Sequence, residues 1–340
     1  MYPHYGSDYP LDPLTYNELE RAVSILHENE NFTASLRFVD ITLKEPTKEM
    51  MATYQRGDSF EREADVVILD NENEITIEAV VSLSQNRVLE FAGTKEVGQP
   101  LIVQDEFIEM TMVCMQNEEV IRALEKRGLD ISQRGQVQID PLSFGYFDDE
   151  FEDADNHQRR LVRGYFLGRN EANDNAYAHP IEGLMVTVDL HKQEVVEVFD
   201  SGVVPVPETM RNYERQYIEK FRDRPKPIEI TQPEGVNYKV EGWHVDWQRW
   251  SFRIGFNLRE GLILHDIRYN DVDKGEVREI CRRASIAEMT VPYCDASPTS
   301  SRKNAFDVGE YGLGGLANSL TLGCDCLGEI KYFDFDFINA

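Results

Sequence analysis

Cysteine is scarce in this chain of 340 residues: there are five, an odd number. That argues against a secreted scaffold stapled by disulfides and points to a reducing compartment. Cys114 lies in a Met-rich apolar run and reads as a buried thiol. Long apolar runs are lacking too, so no segment reads as a membrane span. Residues 1–8 carry neither a basic nor an apolar leader signal. Basic charge is the third shortage. Lys and Arg number 35 against 62 Asp and Glu, a net charge of −27. A surface of that sign repels nucleic acid and anionic membranes. It attracts cationic small molecules, amines among them, although an acidic surface also serves solubility alone.

Several signatures of chemistry are missing. There is no Gly-x-Ser-x-Gly, no Walker loop and no His-Glu-x-x-His. Gly312-x-Gly314-x-x-Ala317 has the form of a dinucleotide fingerprint but lacks the preceding strand and the βαβ setting. The seven histidines are His4, His27, His157, His179, His191, His244 and His265. They are scattered and form no His-x-His pair, so no metal site is expected from them. Cys324-Asp325-Cys326 is a single Cys-x-Cys without the second pair that structural zinc needs.

What is present is enough apolar material, 41% of residues with 10% aromatic, for several cores. The length suggests two or three domains. Thr15-x-x-Glu18 is a capping box, flanked by Leu14 and Leu19 as a hydrophobic staple. Leu19, Ala22, Val23 and Leu26 then share one helical face. Strand-like runs follow at 35–43, 64–69, 74–83 and 87–91, with a turn at Asp70-Asn71-Glu72-Asn73. The order recurs. Helices are expected at 104–115 and 118–126, with Asn117 as cap and Gly128 as stop, then strands at 137–140, 160–168, 184–190 and 194–200. No residue-level repeat is visible between the two halves. The acidic run at 148–155 reads as a solvated loop. Residues 204–233 are rich in Pro, Glu and Arg and read as a linker with a short helix at 210–221. Beyond it, Trp250, Phe256 and the residues between them alternate as a half-buried strand, paired with 262–269.

Four segments carry a resemblance to a known family. They are Tyr9-Pro10-Leu11-Asp12-Pro13-Leu14-Thr15, Tyr177-Ala178-His179-Pro180-Ile181-Glu182-Gly183-Leu184, Trp247-Gln248-Arg249-Trp250-Ser251-Phe252-Arg253 and Arg259-Glu260-Gly261-Leu262. The most specific stretch is a fifth, Arg302-Lys303-Asn304-Ala305-Phe306-Asp307-Val308-Gly309-Glu310-Tyr311-Gly312, followed by Leu322-Gly323-Cys324-Asp325-Cys326-Leu327-Gly328. Together these resemble the copper-containing primary amine oxidases. The resemblance implies an α+β fold: two small cystatin-like α+β domains at 9–99 and 100–203, a linker at 204–231, and the beginning of a large antiparallel β-sandwich at 232–340.

It also implies roles. Asp307 stands where the family has its proton acceptor, Ala305 and Phe306 where it has its substrate channel, and Cys326 where a cysteine usually enters a disulfide. The quinone tyrosine and the three copper-binding histidines of the family lie further on than Ala340. The expectation is therefore an N-terminal portion, holding neither copper nor topaquinone and inactive by itself. The full enzyme would take a small primary amine and O₂, work as a homodimer, and reside in the cytoplasm or peroxisome. The residues alone leave other readings open. Phe306, Tyr311, Gly312 and Leu313 give Asp307 the partly apolar setting that suits a general base, but an Asp before Gly309 also caps a turn. A non-catalytic binding module is one rival. An enzyme using Asp307 and Glu310 as a carboxylate pair is another.

Overall fold

The computed structural model describes residues 7–94, 99–130, 135–145, 159–171, 173–209, 212–301, 303–323 and 325–338. The chain divides into two compact units. One comprises Met1–Leu101, Pro227–Glu288 and Tyr311–Ala340, the other Ile102–Lys226 and Met289–Glu310. The expected last domain, 232–340, thus contributes to both.

In the first unit, helix α1 (Tyr16–His27) begins at a reciprocal cap: Thr15 Oγ1 accepts from Glu18 N, and Glu18 Oε2 accepts from Thr15 N at 2.9 Å. Its Leu19, Ala22, Ile25 and Leu26 are buried. They pack on a four-stranded antiparallel sheet formed, in order, by β1 (Leu36–Leu43), β2 (Glu63–Asp70), β3 (Ile75–Ser82) and β4 (Arg87–Thr94). Ala64, Val66 and Ile68 of β2 all join this core, because side chains on a strand alternate between faces. A short helix α2 (Lys48–Thr53) follows β1 and was not expected. It buries none of its residues, so no apolar period announces it.

In the second unit, helices α3 (Gln104–Gln116) and α4 (Glu118–Glu125) precede β5 (Val137–Ser143), β6 (Leu161–Gly168), β7 (Pro180–Asp189) and β8 (Glu194–Asp200), again antiparallel and in sequence order. Met110, Cys114, Val120 and Leu124 pack with Val162, Phe166, Val186 and Val188. Burial pushes the Cys114 thiol up to about 12. The acidic run at 148–155 lies outside the described residues. The helix expected at 210–221 is reduced to a single 3₁₀ turn, Arg215–Tyr217, with no buried residue; Met210 and Arg211 are outside the described residues. Tyr213, Ile218 and Phe221, at helical spacing, are all exposed, so nothing packs on the face such a helix would present, and tertiary packing is what sustains short helices.

The two helix-and-sheet modules correspond residue by residue, which the sequence does not reveal. Each first helix carries a Glu at its third position, Glu18 and Glu106. Each Glu pairs with a buried Arg placed immediately before the second strand: Arg62 Nε to Glu18 Oε1 at 2.7 Å, and Arg160 Nε to Glu106 Oε1 at 2.6 Å. The carbonyl of each Arg accepts from a buried leucine after the third strand, Leu83 N at 2.9 Å and Leu190 N at 2.8 Å. The residue before that leucine holds the turn, Ser82 Oγ accepting from Gln85 N and Asp189 Oδ1 from Lys192 N. Three residues after the leucine the backbone has positive φ, at Asn86 (61°) and Gln193 (51°). Register extends the match to the first strands. Phe38 pairs with Ile68 and Ile139 with Phe166, six residues past the respective Arg; Asp40 pairs with Val67 and Asp140 with Tyr165, five past it. Val39 is the one extra residue, a bulge in β1.

The remaining strands are β9 (Tyr238–Glu241), β10 (His244–Trp247), β11 (Trp250–Asn257), β12 (Gly261–Asp271) and β13 (Glu276–Ser285), a five-stranded antiparallel sheet of the first unit. The expected pair 250–256 with 262–269 is β11 with β12. Alternation along β11 is weaker than expected, with intermediate exposure on both faces. Aromatic contacts meet it near both ends: Trp250 lies 5.0 Å from Tyr269 and Phe256 stacks on Phe335 at 4.4 Å. Gly312 and Gly314, the discarded fingerprint, serve this sheet. A Cβ on either would collide with the carbonyl of Leu258 or Asn257 in the β11–β12 turn, where Leu313 N donates to Arg259 O at 2.9 Å. In the second unit, β14 (Thr290–Pro292) pairs with β15 (Asn304–Phe306).

Candidate active site

Asp307 follows β15 directly and opens a five-residue π-helical turn, Asp307–Tyr311. Strand β15 is held on one side by β14, with Ala305 opposite Val291 and Phe306 opposite Thr290. The Asp307 amide continues that pairing, donating to Met289 O at 3.0 Å. Ala305 and Val308 are buried, while Phe306 and Asp307 are half-buried. An apolar residue on each side of Asp307 is thus buried and leaves Asp307 between them half-buried.

Glu310 is the residue that sequence reasoning undervalued. It was weighed only as a second carboxylate beside Asp307. It is fully buried, and its two oxygens accept from backbone N–H groups, Oε1 from Ser143 of β5 and Oε2 from Phe306 at 2.9 Å. A carboxylate so engaged is not available to face a substrate, which weakens the paired-carboxylate reading. Its own carbonyl accepts from Ile102 N at 3.2 Å. Lys303 stands in the same motif, with no role that the sequence assigns it. Its ammonium lies 4.6 Å from the Tyr165 ring centre and 4.7 Å from that of Tyr293. Burial raises the Asp140 carboxyl above its usual range, and Lys303 and the Tyr177 hydroxyl, 3.4 Å away, pull against that. Lys303 at one end, over the Tyr165 ring of β6, and Glu310 at the other, bonded to Ser143 N of β5, hold the segment to this sheet. A buried carboxylate beside a short strand is the kind of signal that could have found this. Its partner Ser143, however, is 167 residues away in sequence.

The other expected residues stand apart. Cys326 is a free thiol with Sγ 2.8 Å from the Tyr332 hydroxyl, in the first unit; Cys324 and Arg302 lie outside the described residues. His27, His179, His191, His244 and His265 sit on different elements, and His4 and His157 are outside the described residues. His179 is buried with Nε2 2.9 Å from Asp174 Oδ2, and His244 lies 3.2 Å from Asp246. Among the described residues, no group of three His, Cys, Asp or Glu side chains could hold a metal ion. Those side chains, scattered over separate elements, do not fit copper. A cavity of about 360 Å³ in the first unit is lined in part by Glu45, Glu260, His265 and Arg283. Its charges satisfy one another: Arg283 donates to Glu45 at 2.7 Å and to both oxygens of Glu260. Burial works to raise Glu260, but bonds from Arg283, Ser285 and Asn257 bring it down to about 2.

The mixture of helix and antiparallel sheet matches a known class. The chain fits three family models in order: the copper amine oxidase N2 domain at residues 9–92, the N3 domain at 105–217 and the enzyme domain at 239–340. It is 46% identical to the primary amine oxidase of Arthrobacter sp. (strain P1) over 335 residues, 98% of this chain and 50% of that protein. It is 37% identical to the histamine oxidase of Arthrobacter globiformis, over 97% of this chain and 47% of that one. Its fold matches the crystal structure of a copper-containing benzylamine oxidase from Hansenula polymorpha with a TM-score of 0.77 at 24% identity, covering 96% of this chain and 52% of that one. The chain belongs to the copper amine oxidase family. It spans about half the length of the curated relatives it matches. Among the described residues, no helix is long and apolar enough to cross a membrane.

Proposed function

We propose that this chain contributes the proton acceptor of a primary amine oxidase, and that Asp307 is that acceptor. The overall reaction converts an amine, water and O₂ to an aldehyde, ammonia and hydrogen peroxide. Asp307 takes the proton from the carbon that bears the amine nitrogen. The observation that carries this reading is the contrast within one turn: Glu310 is consumed by backbone donors, while Asp307 stays half-buried at the turn's open end. A base held in a partly dry site needs little reorganisation when the proton moves. Buried Ala305 and half-buried Phe306 flank it on β15 and are read as walls of the substrate channel. The family implies copper and topaquinone, and the described residues supply no donor set for the metal.

The finer architecture is part of the same reading. The two corresponding modules are taken as cystatin-like domains at 9–99 and 100–203, 204–231 as linker, and the five-stranded sheet as the opening of a β-sandwich. Cys326 is read as one half of a disulfide whose partner lies outside these residues, and the working enzyme as a homodimer. The location is read as cytoplasmic or peroxisomal; relatives from Nicotiana tabacum and Pichia angusta whose names place them in peroxisomes support the second. The test is Asp307→Asn in the oxidase that carries this chain. Asn keeps the size but cannot accept the proton, so amine turnover should fall by about 10²–10⁴-fold. Turnover near the wild-type rate would reduce Asp307 to a turn residue.

A further inference from the structure

We propose that Glu310 is a positioning residue for Asp307: its buried carboxylate ties the strand before the base to the edge of β5 and so fixes where the base stands. The inference rests on the reading of Asp307 as the base. Three observations converge on it. Glu310 is fully buried, and a charged group is seldom placed so deep unless its partners are fixed. One oxygen accepts from Phe306 N, the amide immediately before Asp307, at 2.9 Å, and the other from Ser143 N at the end of β5. The Glu310 carbonyl accepts from Ile102 N, so backbone and side chain both anchor the turn.

The consequence is geometric. Strand β15 is only three residues long, and β14 opposite it is equally short. A ladder of that length holds its end poorly, because so few backbone bonds oppose fraying. The π-helical turn that follows is no stiffer by itself. Glu310 closes a loop from the turn back onto the last amide of the strand. With Phe306 N and Ser143 N on one carboxylate, the Cα of Asp307 is held relative to β5. Neither a neutral acceptor nor a shorter one can serve both donors equally. Bonds to a charged acceptor are the stronger kind.

The experiment uses Glu310→Gln, Glu310→Asp and Asp307→Asn. Hydrogen exchange is read on the 340-residue chain, and steady-state kinetics on the oxidase that carries it, with ordinary and α-deuterated benzylamine. In Glu310→Gln, the Ser143 and Phe306 amides should exchange at least about tenfold faster, while Ile68 and Phe166 in the module cores stay unchanged. kcat should fall by about tenfold or more with KM within about twofold, and the deuterium effect on kcat should grow as proton removal becomes slower. Glu310→Asp should recover part of the loss, because the charge remains; it also serves if the Gln variant fails to fold. Unchanged exchange at Ser143 and Phe306 would overturn the anchoring. Faster exchange with wild-type kcat and isotope effect would leave Glu310 purely structural and overturn the proposal. Wild-type turnover by Asp307→Asn would instead overturn the reading of the base, and the positioning role with it.

Discussion

Strands β1 and β5 occupy the same place, the outer edge of the sheet, in two modules that correspond residue by residue, yet different parts of the chain answer them. Beside β1, in the first unit, Glu45 accepts from Arg283 of β13 at 2.7 Å, Arg282 donates to Pro46 O, and Arg259 lies near Asp40. Beside β5, in the second, Lys303 lies near Asp140 and Glu310 accepts from Ser143. An uncovered edge strand is a template for unwanted pairing, and each module has side chains from elsewhere in its unit beside that edge. The same acidic position, Asp40 and Asp140, meets a cation in both. The difference is what the cover carries. Arginines from the five-stranded sheet do structural work on β1, while the segment on β5 brings Asp307. The proposed active site has grown on the edge of the second module from contacts whose counterparts in the first are architectural.

The comparison breaks first if the modules are not equivalent inside. Arg62 and Arg160 are both buried and both paired to a buried Glu at the third position of a helix. Arg62→Met and Arg160→Met should each cost about 3–5 kcal/mol, because each leaves a buried carboxylate without its partner. Arg62 also donates to Pro10 O, Asp12 O and Pro13 O, so its loss should loosen the chain before α1 as well. Native-state hydrogen exchange at Ile68 and at Phe166 reads the two losses separately. A cost under about 1 kcal/mol at either site would show that the shared pair is decoration in that module.

These pairs also mark the limit of what the sequence discloses. The cap at Thr15 and Glu18, the stop near Gly128 and most strands were legible, because each rests on residues a few positions apart. Glu18 was legible as a cap and illegible as an ion-pair partner. Arg62 lies 44 residues from Glu18, and Arg160 lies 54 from Glu106, so no local pattern joins them. The repeat escaped for the same reason: its matching residues are singletons in otherwise different strands, and Val39 shifts the spacing by one. The proposal of Asp307 as the base comes from its motif alone. What holds it was not, since Ser143, Asp140 and Tyr165 belong to another part of the chain.

The next test sharpens the match between Asp40 and Asp140. Burial raises Asp40 to about 7, against a partial offset from the Ile41 amide and Arg259. The folded value lies above the ordinary carboxyl value, so the protonated side chain favours the fold. That contribution is complete below pH 4 and is lost as pH rises through 7. Relative to Asp40→Asn, the wild-type protein should therefore lose stability on the order of 2 kcal/mol between pH 5 and pH 7, and no more above pH 8. Asp140→Asn should show the same sign and a smaller slope, because Lys303 and Tyr177 stabilise the ionised form. Urea unfolding across that range measures both. Opposite signs at the two positions would end the claim that they are the same site in two settings.

The smallest effect tests the one visible inequality between the helices. Thr15 and Val103 are both extended residues before a helix, with φ −78° and ψ 161° against φ −83° and ψ 154°. Thr15 offers a hydroxyl to Glu18 N, whereas Val103 has no side-chain oxygen, and Glu106 N turns to the Val103 carbonyl at 3.0 Å. Both helices keep the return bond, with Thr15 N donating to Glu18 Oε2 and Val103 N to Glu106 Oε2, each at 2.9 Å. Thr15→Ala should cost about 1 kcal/mol. Val103→Thr is nearly isosteric and installs the missing half, yet its gain should be only about 0.5 kcal/mol, since the amide it would serve already has an acceptor. Thermal unfolding of the single variants and the pair gives both numbers, and the two changes should add, because no residue is shared between the caps. If Val103→Thr destabilises, the half-buried valine is packing a contact that the hydroxyl disrupts. The second module would then have given up its cap for that contact, and the two helix starts would differ by design of the surroundings.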